Sequence, residues 1–276
     1  MHDEERPAGD PAAKPRRPGG VIGGGIVALG LLAAKFKTIL ALLLGAKWLI
    51  LAPKLLLSFG SIVLSLWLYA TLWGWKFGLV FIALILVHEM GHYVTFRLFG
   101  AAVSLPLFIP GLGAFVSSPM TGDPARNAVA AIMGPVFGIA ASAACWSYGL
   151  SSGQPFWIAA AYTGFFLNLF NLIPAFPLDG GRVAGAIDGR LWLAGAALIV
   201  AYIVWSHSFT SPFALLIVIF VVVQSVPRAL AAFRGQVDPT VRIGEPGQRA
   251  VLAVAYFGLL ALCAAGAAGT HIDLPR

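Results

Sequence analysis

The chain has little charge: Asp, Glu, Lys and Arg make up 11% of its 276 residues, while 59% are hydrophobic. With a mean hydropathy of +0.87, that scarcity excludes a soluble globular domain and implies a multi-span membrane protein. Cysteine is equally scarce. Cys145 and Cys263 sit inside apolar stretches far apart in sequence, which excludes a disulfide framework and a cysteine-based zinc knuckle. The formal charge of +7 comes from basic residues gathered at segment ends, not from a patch interleaved with aromatics. It therefore reports membrane topology, and no nucleic-acid partner is expected. Eleven acidic residues and five histidines complete the inventory, so any polar site inside the membrane has few candidate members.

Residues 1–20 are charged, rich in Pro and Gly, and contain no aromatic or β-branched side chain. They are expected to form a disordered cytoplasmic tail. They are too long and too mixed in charge to lead a signal peptide, so no processing is expected. Residues 21–60 are apolar but interrupted by Lys35, Lys37, Lys47 and Lys54, as in a basic interfacial helix or a poor hairpin whose lysines snorkel to the headgroups. Seven spans are predicted beyond them, near 61–75, 77–96, 128–147, 156–173, 191–205, 212–226 and 250–268. The fold class is an all-α polytopic membrane bundle, with a core over 61–190 and C-terminal transmembrane helices over 191–276. If Arg6, Lys14, Arg16 and Arg17 are cytoplasmic, Arg97, Arg126, Arg182, Arg190, Arg228, Arg234, Arg242 and Arg249 fall on the same side. The N-terminus is then cytoplasmic and the C-terminus outside. An Ala- and Gly-rich chain of this kind fits a bacterial inner membrane.

The run His88-Glu89-Met90-Gly91-His92 follows directly on the apolar stretch 77–87. On a helix of about 3.6 residues per turn, residues four apart share a face, so His88 and His92 can point at one ion. Glu89 falls beside that face, where a carboxylate can take a proton from water held at the ion. Zinc suits such a set, because a third protein ligand would leave one coordination position open. Most other acidic residues lie in the tail or in loops, but Asp179 stands at the end of a hydrophobic segment, in Asn171-Leu-Ile-Pro174-Ala-Phe-Pro177-Leu-Asp179-Gly180-Gly181. Prolines and glycines there break the helix and free carbonyls, which a membrane tolerates only where protein or a water-filled cavity covers them. An aspartate held in that break is a candidate third ligand. Read alone, Asp179 is more often a helix cap or a partner of Arg182, and Asn168 and Asn171 are interhelical hydrogen bonders as readily as substrate contacts.

H-E-M-G-H on one span, followed by N-L-I-P-A-F-P-L-D-G-G, closely resembles the site-2 proteases, the intramembrane zinc metalloproteases. The resemblance implies that His88, His92 and Asp179 hold one zinc ion and that Glu89 is the general base. It also implies that Asn171 helps hold substrate or the developing oxyanion. Family members place a re-entrant β-like segment after the first motif, and 101–118, with Pro106, Pro110, Gly111 and Gly113, is similar; such an edge can hold an unwound substrate strand. Gly134-Pro135 is a further family-like element. The likeness covers roughly 61–190. No PDZ-sized insert separates the spans, and the connection 227–249 is too short for a nucleotide-binding (CBS) domain, so the chain resembles the compact form. The implied partners are the lipid bilayer and a transmembrane protein substrate, such as a membrane-tethered transcriptional regulator or anti-sigma factor. Two other classes remain: a metal-dependent membrane binder or transporter, and a non-catalytic scaffold. Neither needs a carboxylate at the spacing of Glu89.

Overall fold

The computed structural model describes residues 20–111, 113–117, 122–207, 212–236 and 241–271. All but the last residue of the expected disordered tail lies outside the described residues. Helix α1 spans Gly20–Trp73 and α2 spans Trp75–Leu98. Two short strands follow, β1 at Leu107–Ile109 and β2 at Gly113–Phe115. The remaining helices are α3 (Pro124–Ser152), α4 (Pro155–Asn171), α5 (Asp179–Ile187), α6 (Leu191–Trp205), α7 (Pro212–Phe233) and α8 (Pro246–Thr270).

The chain divides after Lys54 into two units. In the first, the backbone is helical from Gly20 onward, so 21–54 contains no hairpin turn. The second unit, from Leu55, carries every other element. There α1 stops at Trp73 because Gly74 takes φ 86°, a left-handed conformation that glycine adopts without strain. The chain turns back into α2 at this point, and Tyr69, Trp73, Phe77 and Phe81 stack across the corner.

Five helices among the described residues are long and apolar enough to cross a membrane: Leu51–Trp73, Trp75–Leu98, Pro124–Ser152, Ala214–Phe233 and Pro246–Thr270. The expectation of seven spans also counted α4 and α6, which have 17 and 15 residues. At about 1.5 Å per residue they reach roughly 22–26 Å, short of a hydrocarbon core of about 30 Å. The distribution of side chains is that of a polytopic membrane bundle. Large apolar groups such as Leu56, Phe59, Trp67, Leu216, Val254 and Phe257 face outward, while Ser65, His88, Glu89, Ser142, Asn168 and Ser225 are buried. Polar groups inside and apolar groups outside is the arrangement hydrocarbon solvent favours.

Helices α2, α3 and α4 pack closely at the level of the polar residues. A Cβ at Gly134 of α3 would collide with the His92 ring, and one at Gly138 with the Asn168 amide. Glycine at these two positions lets α3 approach α2 and α4 over the buried side chains. Between α4 and α5 the chain is broken over 172–178, as the prolines there require. The freed backbone groups find partners on later helices. The Tyr256 hydroxyl donates to the Leu172 carbonyl at 2.6 Å, the Ser225 hydroxyl accepts from the Phe176 amide at 3.0 Å, and the Trp192 indole donates to the Gly181 carbonyl at 2.6 Å.

Of the segment 101–118, expected to be β-like, Leu107–Ile109 and Gly113–Phe115 are strands. β1 and β2 pair antiparallel in the register Leu107 with Phe115, Phe108 with Ala114 and Ile109 with Gly113. The Phe108 ring is buried against Tyr69, Ile82 and Ile85, which seats the hairpin on α1 and α2.

Candidate metal centre

Three elements bring the site together. α2 carries His88, Glu89 and His92 on its buried side, and all three are at most 5% exposed. The break after α4 delivers Asp179 as the first residue of α5. The Asp179 Oδ2 atom lies 3.1 Å from Nε2 of His88 and 3.1 Å from Nε2 of His92, and the two Nε2 atoms are 3.2 Å apart. One donor atom from each residue thus falls within a 4.8 Å cluster. Among the described residues, His88, His92 and Asp179 are the group of His, Cys, Asp or Glu arranged to hold an ion.

The other nitrogen of each ring decides which way the imidazole faces. His88 Nδ1 is 2.8 Å from Asn168 Oδ1, and His92 Nδ1 is 2.8 Å from the Ala130 carbonyl. Asn168 donates its own amide to the Gly164 carbonyl at 2.7 Å, which fixes its oxygen toward His88. Each Nδ1 therefore carries the proton and each Nε2 presents a lone pair to the cluster. Both Nε2 lone pairs and the Asp179 Oδ2 atom thus converge on one point as donor atoms. A metal takes the carboxylate in its anionic form and the imidazoles in their neutral form. Two imidazoles and one carboxylate suit zinc and leave room for a further ligand, so the donor set fits that ion.

Asp179 is neither a helix cap nor a partner of Arg182. Leu178 holds the cap position, without a side-chain bond, and the carboxylate pairs with the two histidines instead. Glu89 lies beside the cluster, and the Val116 backbone amide faces its carboxyl from the segment that follows β2.

Asn171 is placed differently from the other candidates. It is half-buried at the last turn of α4, and its side chain has no hydrogen-bond partner among the described residues. The asparagine joined to the cluster is Asn168, 1% exposed. Its sequence signal was its position four residues after Gly164, on the same buried face of α4 as Ala160, Ala161 and Phe165. Tyr256, Trp192 and Ser225, which support the Asp179 loop, carry no motif at all.

No protein-family model matches the chain. It is 29% identical over 118 residues to a zinc metalloprotease of Methanocaldococcus jannaschii, a match covering 42% of this chain and 34% of that protein. The stretch in common is thus about a third of the relative's length. A helical membrane bundle with a buried His-His-Asp cluster, similar over that stretch to a zinc metalloprotease, is what geometry and comparison together establish.

Proposed function

We propose that the chain is an intramembrane zinc endopeptidase of the site-2 protease type, which hydrolyses a peptide bond in or near the membrane-spanning helix of another protein. The observation that carries the proposal is the convergence of two imidazole Nε2 atoms and the Asp179 carboxylate within 4.8 Å, one residue from a buried carboxylate that binds nothing in the cluster. Zinc, when bound by His88, His92 and Asp179, supplies a Lewis acid that brings the pKa of water to about 7 and polarises the scissile carbonyl. Glu89 takes the proton from water as its oxygen bonds to that carbonyl carbon, and returns it to the leaving amine as the C–N bond breaks. Asn168 and the Ala130 carbonyl keep both rings aimed during this step. A helical substrate hides its amides in hydrogen bonds and must unwind before cleavage, so targets with helix-weakening residues are favoured.

The remaining parts of the proposal follow the charge pattern. The protein resides in a bacterial inner membrane with its N-terminus cytoplasmic and its C-terminus outside, and its spans number seven if α4 and α6 cross with local thinning. The substrate is a membrane-tethered regulator such as an anti-sigma factor. The test is zinc content alongside cleavage, in detergent-purified protein reconstituted with single-span reporters whose helices contain a Pro-Gly pair. Wild type and Glu89→Gln should each carry about one zinc per chain, Asp179→Ala should lose most of it, and only wild type should cleave. Substantial turnover by Glu89→Gln would remove Glu89 from the mechanism. Wild type that can be loaded with no zinc would sink the whole reading.

A further inference from the structure

The two edges of the hairpin are not equivalent. On α1, Ser58, Ser61, Ser65 and Tyr69 recur at helical spacing and form one polar row. Three of the four reach the backbone around β1. The Ser58 hydroxyl donates to the Pro106 carbonyl at 2.7 Å, the Ser61 hydroxyl accepts from the Phe108 amide at 3.1 Å, and the Tyr69 hydroxyl accepts from the Gly111 amide at 3.2 Å. Pro106 and Phe108 therefore turn their polar groups away from β2, so Leu107 and Ile109 are the residues that bond across the hairpin. The register then fixes the other edge. Ala114, opposite Phe108, turns its N–H and C=O outward, and the chain leaves the strand at Val116, two residues on. Beyond β2 the Ser117 carbonyl accepts from the Ser104 amide at 2.8 Å, so Ser117 faces inward too, one residue out of the β1–β2 register, which would set it opposite Leu105. The outward edge of β2 is unpaired at Ala114 among the described residues, and one residue past the end of β2 the Val116 amide faces the Glu89 carboxyl.

We infer that Ser58, Ser61 and Tyr69 are positioning residues that close the β1 edge, so that a peptide can add only along the β2 edge, the edge that leads to Glu89. The inference rests on the proteolytic reading above and deepens it. Strand pairing at the other edge, or a slip of one residue, would turn the opposite set of substrate groups toward the metal. By leaving one edge open, the row selects which substrate bond comes to lie over the site.

The probe is a hexapeptide of Ala and Leu ending in a hydroxamate, a zinc chelator, added to the zinc-loaded full chain while amide hydrogen exchange is followed. In wild type, 113–117 should gain protection and 105–109 should not. N-methylation of alternate probe amides should weaken binding for one set only, because a strand uses every second N–H. Without probe, exchange over 105–111 should be roughly five- to tenfold faster in Tyr69→Phe, the loss of about one hydrogen bond, and faster still in the Ser58→Ala/Ser61→Ala double variant, which loses two. Zinc content should not change. In the double variant the probe should also protect 105–109. Ser61→Thr should restore wild-type exchange, and Ser65→Ala, whose buried hydroxyl has no partner, should leave it unaltered. Unchanged exchange in the hydroxyl-deleted variants, or probe protection of 105–109 in wild type, would overturn the inference. Failure of wild type to load zinc would instead strike at the proteolytic reading, and the probe-free exchange would still judge the clamp.

Discussion

Replacing Asn168 with alanine is expected to weaken zinc binding by roughly ten- to a hundredfold while the bundle remains folded. Asn168 makes two bonds, accepting from His88 Nδ1 at 2.8 Å and donating to the Gly164 carbonyl at 2.7 Å. At 1% exposure, water does not reach the site to replace it. An unsatisfied buried group costs about 1–3 kcal/mol, which at about 1.4 kcal/mol per decade is roughly five- to 150-fold. The Gly164 carbonyl loses the amide but keeps its helical partner, the Asn168 backbone N–H, with or without metal, so that part of the loss cancels from affinity. The His88 half does not cancel. Without its acceptor the ring rotates freely and its Nε2 is less basic. The assay is competition for zinc against a chromogenic chelator at fixed pH, with Asn168→Asp alongside, since a carboxylate keeps the acceptor and should stay within about threefold of wild type. An Asn168→Ala protein with wild-type zinc affinity would refute the claim that this bond orients the ligand.

Gly134→Ala places a methyl group against the His92 ring, so it should abolish zinc binding while the zinc-free protein still purifies as a folded species. Tyr256→Phe leaves the Leu172 carbonyl without its donor; a loss of about 1–3 kcal/mol, read as a lower thermal midpoint in detergent, is expected, and no loss would mean that water substitutes. Zinc affinity should fall as pH is lowered, because protons compete for the histidine nitrogens the metal needs. Affinity independent of pH between about 5 and 8 would exclude histidine ligation.

The parts of the site legible in sequence were those with local periodicity. His88 and His92 had to share a helix face, and the two prolines before Asp179 had to break a helix. The β-like segment could be located from Pro106, Pro110, Gly111 and Gly113 because each restricts or frees a turn. α5 was not legible. Gly180 and Gly181 are poor helix formers, yet a Cβ at either would strike the 172–176 backbone, and this close packing outweighs propensity. Asn168 and Asn171 look alike in the sequence, and only the tertiary approach of α4 to α2 separates them. The span count depended on length. Apolar composition marks α4 and α6 as buried or membranous, but their ends are set by Gln154, the 172–178 break and the loop before Leu191.

The Asp179 loop is supported by side chains from α6, α7 and α8, whereas both histidines lie on α2. Synthesis therefore releases the ligands in unequal condition: the histidine pair is complete early, and the aspartate is anchored only after the last helix has been inserted. A nascent chain halted before Tyr256 has two thirds of a metal site and no way to hold the rest. Metal acquisition, and with it the proposed hydrolysis, is then expected to be a late event in biogenesis. Truncation after α7 should accordingly yield a zinc-free protein even though every residue proposed to touch the ion is still present.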